Sequence, residues 1–576
     1  MDLHAFYMGE VFDAYEFFGA HTDMGGTVFR TYAPSAYRAA IIGEWNGWQE
    51  EEMQRSGQIY TYFSSRAHAG HMYKYVIYSA AGRIEHCDPY GFASELRPAF
   101  ASIVTDLMSY RFTDHRWLRN SDRRYDRPMD IYEVHLGSWK DIDGGCTYTR
   151  IADELIPYVR EHGFTHIELM PLAEHPSDES LGYLATGFFA PTSRYGRPQE
   201  LMQLVDKCHH AGIGVIMDFV PVYFASQEYA LARYDGSPLY EYPDSDTASN
   251  MWGSCNFIHS RRDVCCFLQS AANFWLSVYH IDGLRMGDLG RAIYWHGDPA
   301  RGINSASVDF LRRMNTGLHR LHPSAVLIAE DETSFPKITA PAEYGGLGFD
   351  YKWDLGWKTD TLNFMRTPPA EREAQRAKLI FSMDYFGSER FLLPLSHDEN
   401  INGRATVIQK MWGDKEVKFP QAKTFYLYMY THPGKKLIFM GSEFGQFTEW
   451  DGTPPDWELL SDPRHKDLSD YMKRLAKMYT SRPSLYSGEY DTSAFEWIDL
   501  SGISGSLFAY RRTAGGESTV VLLNFSDSVL TLPFECGIHS SLRELICTEK
   551  GHTVRKQGIV LQPFSGAAYD DASALS

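Results

Sequence analysis

The chain has 576 residues, and its 74 acidic against 55 basic side chains leave a formal charge of −19. That balance offers no basic face for phosphate backbones, which excludes nucleic acid as an expected partner. Hydrophobic residues at 44% and charged residues at 22% are those of a globular chain, not a disordered or fibrous one.

The N-terminal Met1-Asp-Leu-His-Ala5 lacks the basic start and apolar run of a secretory signal. The apolar stretch 211–225 is interrupted by Asp218 and is too short to span a bilayer, so a soluble, cytoplasmic protein without membrane association is expected. Cys87, Cys146, Cys208, Cys255, Cys265, Cys266, Cys536 and Cys547 form no Cys-x-x-Cys pair and no metal-ligand spacing. Free thiols are expected, and no metal or cofactor is implied. Aromatic residues reach 14%, with 13 Trp and 36 Tyr, a content that suits stacking on sugar faces although most such rings pack in cores.

Residues 1–112 carry short period-two runs at Gly26–Tyr32, Ala39–Gly43, Tyr60–Ser64 and Tyr73–Ile77, which predict an N-terminal β-sandwich. The segment Glu44-Trp-Asn-Gly-Trp48 sets Trp45 and Trp48 on a turn. From 113 to 480 short apolar strands alternate with helical segments such as Thr149–Glu161 and Ser307–Leu321, the pattern of a parallel α/β sheet or barrel. Strands are predicted at Ile131–Leu136, His166–Leu172, Gly214–Phe219, Gly283–Met286, Ala325–Ala329, Gly348–Lys352, Arg390–Leu395 and Lys436–Met440. Eight of them point to a TIM barrel, whose chemistry sits at the C-terminal strand ends. Glu168 to His175, Asp218, Arg285, Glu330, His397-Asp398 and Glu443 fall at those ends. A Tyr-, Asp-, Ser- and Trp-rich excursion, Ala230–Val264, is expected to form a lid or subdomain over them. From 481 strands return at Leu507–Arg511, Thr519–Asn524, Leu530–Pro533 and Gly558–Gln562, predicting a C-terminal all-β domain to 576.

Several carboxylates at the top of a barrel, with an Arg and a His, suit protonation of a leaving oxygen and stabilisation of a cationic sugar, as two carboxyl groups do in retaining glycosidases. A strand-end acid can instead cap the following helix, but the set as a whole exceeds that role.

The chain resembles the α-amylase superfamily and, within it, the glycogen branching enzymes. The resemblance runs over nearly the whole chain and rests on Tyr132-Glu-Val-His-Leu-Gly-Ser-Trp139, Gly163-Phe-Thr-His-Ile-Glu-Leu-Met-Pro171, Thr186-Gly-Phe-Phe-Ala-Pro-Thr-Ser-Arg-Tyr-Gly196, Leu395-Ser-His-Asp-Glu399 and Pro433-Gly-Lys-Lys-Leu-Ile-Phe-Met-Gly441. It implies a carbohydrate-binding front domain, with Trp45 and Trp48 as sugar-stacking candidates, and α-1,4-glucan as the partner. It also implies Arg285 as the residue that orients the nucleophile, Glu330 as general acid/base, and Asp218, His397 and Asp398 as sugar-holding groups.

Two positions depart from the family pattern. Asp218-Phe-Val-Pro-Val-Tyr223 places Tyr223 where a sugar-binding His is expected, and Gly283-Leu-Arg-Met-Gly287 has glycine where the family has its nucleophilic carboxylate. Asp288 follows, but strand alternation would set it on the face opposite Arg285 unless Gly287 supports a bulge. The family's Trp-Gly-Tyr-Gln is Leu181-Gly-Tyr-Leu184, with Tyr183 retained as a candidate subsite residue. The loop Arg291–Ser305 is shorter than the family usually has, and Asn400-Ile-Asn-Gly-Arg404 lacks the family's His.

Three functions follow from this pattern. The first is a branching-enzyme-like protein that binds α-1,4-glucan with lost or very weak catalysis. The second is an active branching enzyme with Asp288 as a displaced nucleophile, with an inverting variant in which water occupies the space at Gly287. The third is a scaffold for a partner other than sugar.

Overall fold

The computed structural model describes residues 1–576 except 244, 251, 501–505, 535–541, 550–552, 556–557 and 572–576. Among the described residues, eight parallel strands close into a barrel in chain order: Asp130–Val134, His166–Leu169, Gly214–Phe219, Gly283–Met286, Val326–Ala329, Tyr351–Trp353, Phe391–Leu395 and Lys435–Phe439. The (β/α)8 expectation holds, and the third and fourth strands have the predicted bounds. Both are wholly buried, and apart from Asp218 and Arg285 they are apolar, as strands packed on two faces are. By compactness the chain separates into one unit of Met1–Arg123, Ile142–Glu154 and Leu169–Asp350 and a second of Arg124–Asp141, Leu155–Glu168 and Tyr351–Ser576.

The first unit opens with helix Leu3–Met8, started by the Asp2 carboxylate accepting from the backbone N–H groups of His4 and Ala5. Two antiparallel sheets follow. One orders Gly19–Asp23, Gly26–Tyr32, Ile59–Ser64 and Gln54–Ser56; the other orders Glu51–Glu52, Arg38–Gly43, Met72–Ser79 and Gly82–His86. Phe29, Ile41, Tyr73, Tyr75 and Val76 are fully buried in these sheets. The buried Asp88 carboxylate accepts from the Tyr73 and Tyr75 hydroxyls at 2.7 and 3.0 Å.

Within this unit the third, fourth and fifth barrel strands run in parallel register, Asp218 beside Arg285 and Arg285 beside Ile328. The excursion is built of turns, a short helix at Ser245–Ala248 and a two-stranded pairing of Tyr223–Phe224 with Cys255–Asn256. It ends three residues before the expected boundary, because Arg262–Val264 already belong to helix Arg262–Val278. The predicted strand Gly348–Lys352 is corrected to Tyr351–Trp353. The backbone N–H groups of Leu347, Gly348 and Phe349 donate to the carbonyls of Lys337, Ala340 and Ile338, so these residues pair with a loop instead of the barrel.

The second unit carries the remaining barrel strands and the C-terminal sheets. A five-stranded sheet orders Phe495–Trp497, Leu507–Ala514, Glu517–Asn524, Ser565–Asp570 and Arg543–Cys547, and a three-stranded one orders Leu530–Pro533, Gly558–Leu561 and Thr553–Arg555. Their shared core includes Leu507, Val520, Leu522, Ile559 and Tyr569. Cys87, Cys146, Cys208, Cys255, Cys265, Cys266 and Cys547 are free thiols, and Cys536 lies outside the described residues. Burial pushes the Cys87 thiol up to about 12, which makes it a poor nucleophile. Among the described residues no helix is long and apolar enough to cross a membrane.

Candidate functional site

The site is built outward from Arg285 on the fourth barrel strand. Its side chain is 2% exposed, and a guanidinium at that depth requires charge partners. Nη1 donates to Asp218 Oδ2 at 2.9 Å and Nη2 donates to Glu330 Oε2 at 2.7 Å, joining the ends of the third and fifth strands through the fourth. The Tyr183 hydroxyl donates to the same Asp218 oxygen at 2.5 Å. Asp218 is as buried as Arg285, whereas the Glu330 side chain keeps 20% of its surface open. The acid of the trio that reaches solvent is therefore Glu330. Arg285 fixes that carboxylate in place, and Asp218 in turn fixes Arg285.

Gly287 follows the end of the fourth strand. A Cβ placed on it would lie 2.9 Å from Arg285 Nη1 and 3.2 Å from Glu330 Oε2. A side chain at this position would therefore point between the two groups, and the glycine lets Arg285 and Glu330 close on each other.

Asp288 stands differently from the expectation. The strand has already ended at Met286, so two-residue alternation no longer governs residue 288. Asp288 adopts a left-handed backbone, φ 58°, at the position before helix Leu289–Ile293, and its side chain makes no capping hydrogen bond to that helix. Its backbone N–H donates to Glu330 Oε2 at 3.3 Å, while its carboxylate lies 3.0 Å from Arg291 Nε. Burial pushes the Asp288 carboxyl up to about 7; Arg291 opposes the shift and Glu330 adds to it.

Tyr223 is buried, and burial raises its hydroxyl well above the usual phenol value, with the carboxylates of Asp288 and Glu330 adding to the shift. It remains a neutral donor where the family pattern has an imidazole. Its ring lies 5.7 Å from that of Trp252, and the Arg291 guanidinium sits 4.5 Å over the same indole. Trp252 and Arg291 join the site without having been singled out in the sequence; the available signal was a lone Trp in the excursion and a cation three residues after Asp288.

In the second unit, His397 is anchored by Glu133 on the first barrel strand. Glu133 Oε2 accepts from the His397 backbone N–H at 2.7 Å, and Oε1 lies 2.5 Å from Nδ1. Nδ1 is thereby the protonated nitrogen, and Nε2 faces Asp398 Oδ1 at 3.9 Å. The Asp398 side chain is 33% exposed. Glu133 lies inside the phrase Tyr132-Glu-Val-His135, but nothing in the sequence marks its partner. Beside it, burial alone would raise Glu399, yet the ammonium groups of Lys358 at 2.7 Å and Lys410 at 3.5 Å hold it below the usual range.

Two strand-end acids are core groups. Glu168 is fully buried, and so is Glu443, whose carboxylate accepts from the Tyr132 and Tyr158 hydroxyls at 2.9 and 2.6 Å. Burial pushes Glu443 up to about 7. In the N-terminal sheets the two tryptophans differ. The Trp45 ring stacks on Phe29 at 5.0 Å and 22°, a packing role, while Trp48 is 39% exposed with Lys74 Nζ 5.8 Å from its ring. Among the described residues no group of three or more His, Cys, Asp or Glu is arranged to hold a metal.

Residues 17–91 match the family of carbohydrate-binding module 48, the isoamylase N-terminal domain, and residues 141–244 match the α-amylase catalytic domain. The chain is 42% identical over 546 residues to the 1,4-alpha-glucan branching enzyme GlgB of Geobacillus stearothermophilus, spanning 92% of this chain and 85% of that one. It is 41% identical over 545 residues to GlgB of Bacillus subtilis strain 168, spanning 92% and 87%. Among solved structures it resembles a putative α-amylase from Salmonella typhimurium, with a TM-score of 0.75 at 18% identity over 96% of this chain and 99% of that one. It also resembles the pullulanase of Anoxybacillus sp. LM18-11 complexed with maltotetraose, with a TM-score of 0.78 at 17% identity over 98% and 89%.

Proposed function

The chain belongs to the 1,4-alpha-glucan branching enzyme family, and we propose that within it this protein binds α-1,4-glucan while its power to cut and rejoin the chain is lost or very weak. The observation that carries this reading is the glycine at 287, whose missing side chain would point between Arg285 and Glu330. Without a carboxylate there, no covalent glycosyl intermediate forms, and loss of a catalytic nucleophile costs on the order of a millionfold in rate. Binding does not depend on that step, because holding a sugar and stabilising its transition state are separable. In this reading Asp218, Arg285, Tyr183, Tyr223, His397 and Asp398 hold the glucan, Glu330 occupies the acid/base position, and Trp48 adds a stacking ring on the front module. The front module spans 1–112, the barrel 113–480 and the C-terminal sheets 481–576, and the protein works in the cytoplasm.

A second reading, catalysis by Asp288, is favoured by the contact of its backbone N–H with Glu330. Against it stand the carboxylate's ion pair with Arg291 and its raised pKa, which leaves a weaker population of the charged nucleophile near neutral pH. Long incubation of the protein with amylose, followed by counting α-1,6 linkages and by co-sedimentation with glycogen, separates the readings. Co-sedimentation without new branches is the expected result. New branches that vanish in Asp288→Ala would establish the second reading, and absence of any glucan binding would leave only a scaffold for another partner.

A further inference from the structure

Beside the Arg285 centre, and sharing none of Asp218, Arg285 or Glu330, the first unit holds a cavity of about 170 Å³. It is walled by the excursion on one side and by the segment after the fourth strand on the other. Tyr242, Asn250, Asn256, Arg291, Trp295 and Asn304 are among its lining residues. The volume falls below the roughly 300–1,000 Å³ of pockets for drug-sized ligands and suits one small ring.

The chemistry of the walls narrows the occupant. Arg291 already faces the Asp288 carboxyl at 3.0 Å and the His296 ring faces Asp246 at 3.2 Å, so an anion would meet carboxyl groups there. Asn256 Nδ2 donates to the Thr247 carbonyl and Asn304 Nδ2 to the Tyr242 hydroxyl, both at 2.9 Å, whereas an apolar molecule would leave Asn250 Nδ2, which is buried with no hydrogen-bond partner among the described residues, unsatisfied. The rings of Tyr242 and Trp295 meet edge to face at 5.8 Å and supply an aromatic wall. Planar amides combined with aromatic surface match a neutral molecule that is polar at its rim and apolar on its faces.

We propose that this cavity is a second sugar site that takes a single neutral pyranose, the terminal glucosyl unit of an α-glucan, with Asn250 Nδ2 as a donor to one of its hydroxyls. The proposal rests on the α-glucan reading and adds to it an end-capture pocket that borders the Arg285 centre at Arg291. A chain end seated here would hold a glucan on the protein independently of any bond cleavage.

The test uses the full chain with two probes, methyl α-D-glucopyranoside and maltotetraose, read by saturation-transfer NMR and by calorimetric titration. Asn250→Asp retains the oxygen that accepts from the Trp252 and Ser254 backbone N–H groups and removes the donor. Ser249→Trp, on the exposed part of the lining, fills the opening. The wild type is expected to bind the monosaccharide, Asn250→Asp to weaken it about three- to tenfold, and Ser249→Trp to abolish it. Equal monosaccharide binding by wild type, Asn250→Asp and Ser249→Trp overturns the proposal. Binding of maltotetraose without binding of the monosaccharide also overturns it while leaving the glucan reading intact. Failure of the wild type to bind either sugar removes the glucan reading and the pocket with it.

Discussion

The first unit has a cluster of charge at the C-terminal ends of its barrel strands and the second unit has one at the start of its last barrel strand, and they are built differently. At the ends of the third to fifth strands, Arg285 divides its guanidinium between Asp218 and Glu330, and one member of the trio stays partly open. At the start of the eighth strand, Lys435 and Lys436 meet Glu489 with all three side chains fully buried. Lys435 donates to Glu489 and to the carbonyls of Tyr125 and Arg127, and Lys436 donates to the carbonyls of His432 and Gly434. Burial pushes the Lys436 ammonium down to about 7, the mark of a charge closed off from water. The difference teaches that an ion cluster at a strand's beginning can be closed off from water entirely, while one at the strand ends keeps an acid, Glu330, partly open.

The sharpest way to break that contrast is to fill the strand-end cluster. Gly287→Asp is expected to raise the branching rate by at least about a hundredfold, part of the roughly millionfold a nucleophile contributes. Arg285 Nη1 must yield by a few tenths of an ångström to admit the new Cβ. An unchanged rate in a folded, glucan-binding variant would show that position 287 does not supply the missing group. Next in size, Glu489→Gln removes the counter-charge of two buried lysines and should cost about 3–5 kcal/mol of unfolding free energy, measured by denaturant titration. A loss under about 1 kcal/mol would mean that this cluster is not structural.

A third variant separates the clusters by pH. Asp288 keeps its proton in the folded chain up to about 7, whereas the unfolded chain releases it near the ordinary aspartate value. Between those values the unfolded state binds fewer protons, so native stability falls as pH rises through the window. Asp288→Asn should remove that slope, and its melting temperature relative to wild type should climb from pH 4.5 to 7.5; a constant difference would contradict the assignment. The smallest effect is expected from Tyr183→Phe, which deletes one hydrogen bond to Asp218. Stability should change by no more than about 1.5 kcal/mol while glycogen affinity falls a few-fold, read by co-sedimentation.

The legible parts of the sequence were those in which local chemistry and fold agree. Gly214–Phe219 and Gly283–Met286 open on glycine, carry a single charged residue at the penultimate position and are otherwise apolar, and both strands formed there. Leu530–Pro533 also formed as expected. Ser565–Asp570 was missed because Ser-Gly-Ala-Ala has little intrinsic strand preference, and its place between Glu517–Asn524 and Arg543–Cys547 is set by tertiary pairing. At the site, the residues on strands were found, whereas the path of Asp288 was not. Its left-handed backbone lies past the strand end, where period-two reasoning has no force. Glu133 was hidden for another reason: its partner His397 is 264 positions away, and no pattern along the chain links them.

Arg285 has a mechanical meaning as well as a chemical one. By gripping an acid on the strand before it and another just past the strand after it, it rivets three neighbouring strand ends into one plate. Amides from Met217 to Phe219, Leu284 to Met286 and Ile328 to Glu330 should then exchange their hydrogens slowly and in concert, and cutting the rivet should let the three edges fray at separate rates.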